Sequence, residues 1–183
     1  TEQDFYDLIS MSLQAILEVI EERYPQLAEE YYADADLSDR SMYFTATGVL
    51  TVEAVTSLLE SLNDSLESGT TFEEWKEDFR SGKEVVNIPA SRLETIYRNH
   101  RQTAYTKANC VQDKISEDDR SYGLYDAIDD DRTRRAHKKA DGVIKPLDDP
   151  WWVRNMIPNG HNCRCDRIVL TAEEVEALGG VTK

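Results

Sequence analysis

Apolar residues recur at three- and four-residue steps through most of the first 110 positions, and that spacing predicts helices. Phe5, Leu8, Ile9, Leu13, Ile16, Leu17, Ile20 and Tyr24 make one stripe over residues 3–32. Pro25 should break or kink it, because proline lacks an N–H and its ring crowds the preceding turn. The polar run "YYADADLSDRS" reads as a connection. A second helix is expected from about Thr51 to Ser68, with Val52, Val55, Leu59, Leu62 and Leu66 on its buried face and Gly69 as its stop. "TFEE" at 71–74 and "SRLE" at 91–94 have capping-box spacing, in which a hydroxyl caps a backbone N–H and the glutamate reaches back. The first should open a short helix carrying Phe72, Trp75 and Phe79. The second should open a helix to about Val111 with Leu93, Ile96, Tyr97, His100, Ala104 and Ala108 on its inner face.

After residue 118 the period shortens. "SYGLYDAID", "GVIKPL" and "CRCDRIVL" read as short strands, and strands are expected only in this part. Between the first two, "DRTRRAHKKADG" reads as a turn or short helix ended by Gly142, and "TAEE" at 171–174 caps a last short helix. Helices followed by strands predict an α+β fold: a helical N-terminal two-thirds, then a small, mostly antiparallel β region with short helices. Trp151 and Trp152, behind the turn-forming Asp148-Asp149-Pro150, are expected to plug the core, and His100 to be a core histidine.

Charge divides the chain the same way. Residues 1–75 hold 17 acidic and 2 basic residues, so the whole formal charge of −15 lies there; the remainder balances 19 against 19. The acidic part repels DNA and anionic membranes, and reads either as a solvated helix surface or as a face for a basic protein partner. No apolar run approaches the roughly 18–20 residues that span a bilayer, and no basic start, apolar run and small-residue cleavage site marks a secretory leader. Three cysteines are too few for a disulfide framework, so reduced, intracellular thiols are expected.

The candidate chemistry sits in "NGHNCRCDRIVLT" at 159–171, where His161, Cys163 and Cys165 fall within five residues. In a strand, Cys163 and Cys165 share a face, so two thiolates would reach one ion. A structural zinc takes four N or S ligands, and His161 with the distant His137 would complete the set. The spacing is not that of a zinc finger, and two packed thiols beside a turn-bonded histidine is the alternative. The cluster Arg132, Arg134, Arg135, His137, Lys138 and Lys139 follows Asp129-Asp130-Asp131, which favours local ion pairs, with Arg132 turned inward onto a carboxylate or carbonyls. No nucleophile elbow, phosphate-binding glycine loop or His-Glu-X-X-His pattern occurs.

Several segments, in order, resemble the phage Mu F-like family of minor head or head-morphogenesis proteins of tailed phages. They are "YFTATGV", "SGTTFEEWKEDF", "LETIYRNHRQTAYTKAN", "DDDRTRRAHKKADGVI", "DDPWW" and "IPNGHNCRCDRIVLT". The resemblance covers about residues 42–172. It implies a family domain over 42–183, behind an acidic helical extension at 1–41. It also implies a virion protein inside the head near the portal, in the host cytoplasm during assembly, acting in head assembly with portal and capsid or scaffold proteins and ejected with the DNA; the confinement of charge to residues 1–75 places the partner contact there. In one branch of the family, Asp-Arg-Thr-Cys-X-X-Cys supplies cysteines that look like metal ligands. Here Arg134 and His137 stand in those two places, which removes one ligand. The resemblance therefore points to an interlock of Asp131, Arg132 and Thr133 with Asn162 and Arg164, with or without zinc. Two other readings stay open. One is a zinc-dependent enzyme or effector using His137, His161, Cys163 and Cys165 with Asp131 or Asp166 as acid or base. The other is DNA contact through the basic cluster.

Overall fold

The computed structural model describes residues 23–33, 43–82, 88–115 and 120–182, with the backbone alone at 111–115. Of the helix expected over residues 3–32, positions 3–22 lie outside these. The chain groups into two compact units, 1–104 and 105–183.

In the first unit Pro25 acts as a break. Tyr24–Pro25 forms β1, paired in parallel with β2, Tyr43–Phe44, and the six-residue helix α1 follows at Ala28–Ala33. This corrects the expectation that strands occur only after residue 118. The bridge is two residues long, too short for alternation to reveal it, and Gln26 N–H extends it by donating to Phe44 O at 2.9 Å. Helix α2 (Val52–Glu67) starts as expected, with Thr51 Oγ1 accepting from Ala54 N at 3.2 Å. Its buried face is Val55, Leu58, Leu59, Leu62 and Ser65, whereas Val52 is 41% exposed. The expected stripe is thus rotated: Val52, in the first turn, overhangs the core, and Leu58 takes its place.

Helix α3 (Phe72–Ser81) opens on the Thr71–Glu74 capping box. It presents Trp75, which stacks on Phe79 at 5.4 Å, lies 5.3 Å from the Tyr97 ring and donates from Nε1 to Ser61 Oγ at 2.6 Å. Helix α4 runs Ala90–Ile115 and begins one residue ahead of "SRLE". Pro89 precedes it and its carbonyl accepts from Leu93 N at 3.0 Å, so Ser91 lies inside the first turn and Glu94 pairs with Arg98 at 2.6 Å. The second capping box is therefore replaced by a proline start, which suits a position whose N–H has no helical partner. Leu93, Tyr97, His100, Ala104 and Ala108 are buried as the period requires. Leu93 and Tyr97 join Phe44, Val55, Leu58, Leu59, Leu62 and Trp75 in one core cluster.

His100 shares its surroundings with Arg23. The Arg23 guanidinium donates to Tyr43 O at 2.8 Å, lies over the Phe44 ring at 5.2 Å and sits 3.4 Å from His100 Nδ1. Burial lowers Arg23 to about 10. Burial first, then Arg23 and Arg101, lower His100 to about 3. The imidazole is thus neutral and free to accept from the guanidinium.

The second unit is built on an antiparallel sheet ordered β4-β3-β5, with β3 at Tyr122–Asp126, β4 at Ile144–Pro146 and β5 at Asp166–Leu170. Leu124 stands opposite Ile144 on one side and Ile168 on the other. Helix α5 (Arg135–Ala140) links β3 to β4 and closes at Gly142, whose φ of +72° suits glycine. Helix α6 (Trp151–Asn155) carries the expected plug: Trp152 is buried, donates from Nε1 to Pro146 O at 2.9 Å and packs on Gly123, where an added Cβ would meet its Cζ2 at 2.6 Å. Helix α7 (Ala172–Ala177) opens on the Thr171–Glu174 capping box. Among the described residues no helix is long and apolar enough to cross a membrane.

Candidate metal centre

Three chain segments meet behind β3. On that strand Gly123 and Tyr125 are buried while Tyr122 and Leu124 are partly so. Across the connection, Tyr125 N–H donates to Val143 O and Gly142 N–H to Tyr125 O, each at 2.9 Å, which brings the end of α5 back against the strand. The two buried residues of α5 are His137 and Ala140, three apart on one face. The third segment is the turn at 159–162 with the residues after it. Gly160 and Asn162 have φ of +87° and +54°, left-handed values that glycine and asparagine tolerate best, and Cys163 N–H closes the turn on Gly160 O at 3.2 Å.

Cys163 and Cys165 precede β5 rather than lie in it, which corrects the strand expected there. They are still both buried, with the partly exposed Arg164 between them. His137 Nδ1 lies 3.2 Å from Cys165 Sγ and 3.8 Å from Cys163 Sγ, and the three ligand atoms are all within 4.8 Å of one another. Ligand atoms on a tetrahedral zinc with Zn–N and Zn–S bonds of about 2.0–2.3 Å stand roughly 3.5–3.8 Å apart, close to this arrangement. Burial, then Arg134, lower the pKa of His137, so the ring is neutral as a ligand must be. Burial pushes the Cys165 thiol up, and burial, followed by contact with Cys165, pushes Tyr125 up.

His161 is not part of this group. The residue is exposed, and its backbone carbonyl accepts from Arg134 Nη2. The group contains no carboxylate either. Asp131 is an exposed turn residue, and Asp166 accepts from Arg167 N at 2.8 Å.

The interlock forms with different members. Arg132 was expected to be buried, yet its side chain is 83% exposed. The reason is local: Asp130 Oδ1 accepts from Arg132 N at 2.9 Å and from Thr133 Oγ1 at 3.0 Å, closing a turn that points Arg132 outward. The same carboxylate receives both Arg164 terminal nitrogens at 2.8 Å each. Arg164 foremost, with the Thr133 and Arg132 hydrogen bonds, holds Asp130 well below the usual carboxylate range. Arg134, not Arg132, reaches the turn, donating to Asn159 O at 3.2 Å and to His161 O. Arg164 reaches the 130–133 turn through Asp130, Thr133 bonds within that turn, and Asn162 contributes a left-handed backbone angle. Asp130 and Arg134 replace Asp131 and Arg132. Asp130 stood among three consecutive aspartates; its spacing to Thr133, three residues on, was the one signal that separated it from its neighbours.

The second unit is thus a small antiparallel sheet with an arginine-clamped turn and a buried histidine–dicysteine cluster. Residues 56–168 match the family described as Phage Mu protein F like protein, and this chain belongs to that family. It is 36% identical over 99 residues to the Mu-like prophage FluMu F protein of Haemophilus influenzae, covering 54% of this chain and 24% of that protein. It is 27% identical over 155 residues to the putative capsid assembly protein F of Escherichia phage Mu, covering 74% of this chain and 35% of that one. The chain therefore matches about a quarter to a third of the length of these relatives. No solved structure matches it.

Proposed function

We propose that this chain is a head-assembly module of a Mu-type phage or prophage, working as a minor head protein and not as an enzyme. The observation that carries this reading is the family match over residues 56–168, together with the likeness to a protein named for capsid assembly. Partners of this module are the portal and the capsid or scaffold proteins. Its place is the virion, inside the head near the portal, with ejection alongside the DNA.

Surface charge supports a protein partner. Glu53, Glu60, Asp64 and Glu67 on α2 and Glu73, Glu74, Glu77 and Asp78 on α3 are all exposed. A face of one sign steers a basic partner and makes association salt-sensitive. The basic cluster of the second unit is used locally instead: Lys138 pairs with Asp129 at 3.1 Å and Arg134 clamps the turn, so DNA is not the partner this reading favours. The buried cluster, with no carboxylate among its ligand atoms, suits a structural role better than hydrolysis.

Co-expression with portal and capsid proteins, followed by purification of assembled heads at low and high salt, tests the reading. The full chain should co-purify with portal, and deleting residues 1–41 should weaken this, as should added salt, with residues after 90 still folded. Full-strength, salt-independent co-purification of the truncated chain would move the docking surface away from residues 1–75. Absence from heads, with turnover of a substrate that stops on chelation, would favour the zinc enzyme.

A further inference from the structure

We propose that His137, Cys163 and Cys165 bind one zinc-class divalent ion, with the Tyr125 hydroxyl as hydrogen-bond donor to the Cys165 sulfur and a fourth ligand from outside this set. The proposal stands apart from the head-assembly reading and does not rest on it.

The donors select the metal. Two thiolates and one imidazole suit zinc and exclude the oxygen-preferring magnesium and calcium. They also balance its charge: a dication with two thiolates is neutral, which a buried site requires. All three donors are already buried, at 5%, 6% and 3% exposure for His137, Cys163 and Cys165. Their positions are held by contacts that need no metal. Arg134 ties the start of α5 to the 159–162 turn, and Asp130 ties the turn before α5 to Arg164, between the two cysteines. The cluster is thus preformed, and ordering it on binding costs little.

Tyr125 provides the independent sign. Its side chain is fully buried, and its hydroxyl oxygen has no hydrogen bond of good geometry, although the Cys165 sulfur and the Asn159 side chain are its polar neighbours. A thiol is a poor acceptor and a thiolate a strong one, so ionising Cys165 on a metal turns the neighbour the phenol already faces into a strong acceptor. Binding then forms one metal–nitrogen and two metal–sulfur bonds, breaks two S–H bonds and releases two protons to the buffer, while Tyr125 keeps its proton. A donor placed behind a ligand in this way tunes affinity by about 10–100-fold.

The test uses the full chain. Elemental analysis of protein purified from zinc-supplemented cells should give close to one equivalent. Calorimetry of zinc added to chelator-treated wild type, run in two buffers of different ionisation enthalpy, should report about two protons released per ion. Cobalt in place of zinc should show thiolate charge-transfer absorption with tetrahedral ligand-field bands. Cys163→Ser or Cys165→Ser should weaken that charge transfer, and Tyr125→Phe should retain it with affinity lowered about 10–100-fold. His161→Gln, on the exposed turn, should leave stoichiometry and spectrum unchanged. Folded wild type that takes up neither zinc nor cobalt would overturn the proposal, as would a His161→Gln protein that loses the metal. Equal affinity of Tyr125→Phe and wild type would overturn the role given to Tyr125.

Discussion

Acidifying the protein from pH 7 to pH 4 should cost the first unit about 3 kcal/mol through His100 alone. The folded-state value is about 3 against an ordinary 6.5, because burial and then the Arg23 and Arg101 charges oppose a second positive group beside them. Above 6.5 the imidazole is neutral in both states and contributes nothing to the pH dependence. Between 6.5 and about 3 the unfolded chain holds one proton more than the folded one, so stability falls as pH falls, by about 1.4 kcal/mol per unit. From 6.5 to 4 that is about 2.5 units, hence about 3 kcal/mol. Below the folded value the loss levels off. Urea titrations at pH 4, 5, 6 and 7, followed by the amide resonances of α2, measure the slope. Other titrating groups contribute too, so the comparison is with His100→Gln, which keeps an acceptor for Arg23 and has no proton to gain. The wild-type and variant stabilities should converge with acidity, or cross, by the stated amount. Parallel pH profiles for the two proteins would refute the reasoning, and so would a His100 ring that titrates near 6.5 by NMR.

Leu58→Ala removes a fully buried side chain and should cost about 2–5 kcal/mol in chemical denaturation, whereas Val52→Ala, at the exposed start of the same helix, should stay within about 0.5 kcal/mol. Gly123→Ala drives a methyl into the Trp152 ring and should destabilise the second unit by about 1–3 kcal/mol, with a changed near-ultraviolet dichroism. Arg134→Lys loses the fork that serves two carbonyls and should raise amide exchange at Cys163, while Arg132→Lys should leave it unchanged.

Much of this protein is legible in its order of residues, and the legible parts share one property: their causes are local. Periodicity over a few turns marks α2, α3 and α4, and a threonine three residues before a glutamate marks the starts of α3 and α7. Gly142 ends α5, and the change of period after residue 118 announces the sheet. Interactions between residues three or four apart do not depend on the rest of the chain, so their signatures survive in the sequence. Where a single neighbour intervened, the local reading slipped: Pro89 took the start of α4 from Ser91, and the two-residue β1–β2 bridge was too short to have a period.

The candidate site follows another rule. Cys165 meets His137 from 28 residues away and Arg164 meets Asp130 from 34, distances closed by the pairing of β3 with β5 and the path of α5. The part of the sequence after residue 118 offers two histidines, three consecutive aspartates and several arginines of the same chemistry. Only the register of the sheet and the twist of two turns choose among them. His137 therefore faces the sulfurs while His161 lends a carbonyl, Asp130 receives Arg164 while Asp131 meets solvent, and Arg134 clamps the turn that Arg132 points away from. Residue types determine which chemistry is available; long-range packing determines which copy of each residue performs it, because one residue of shift along a turn moves a side chain from the core to water.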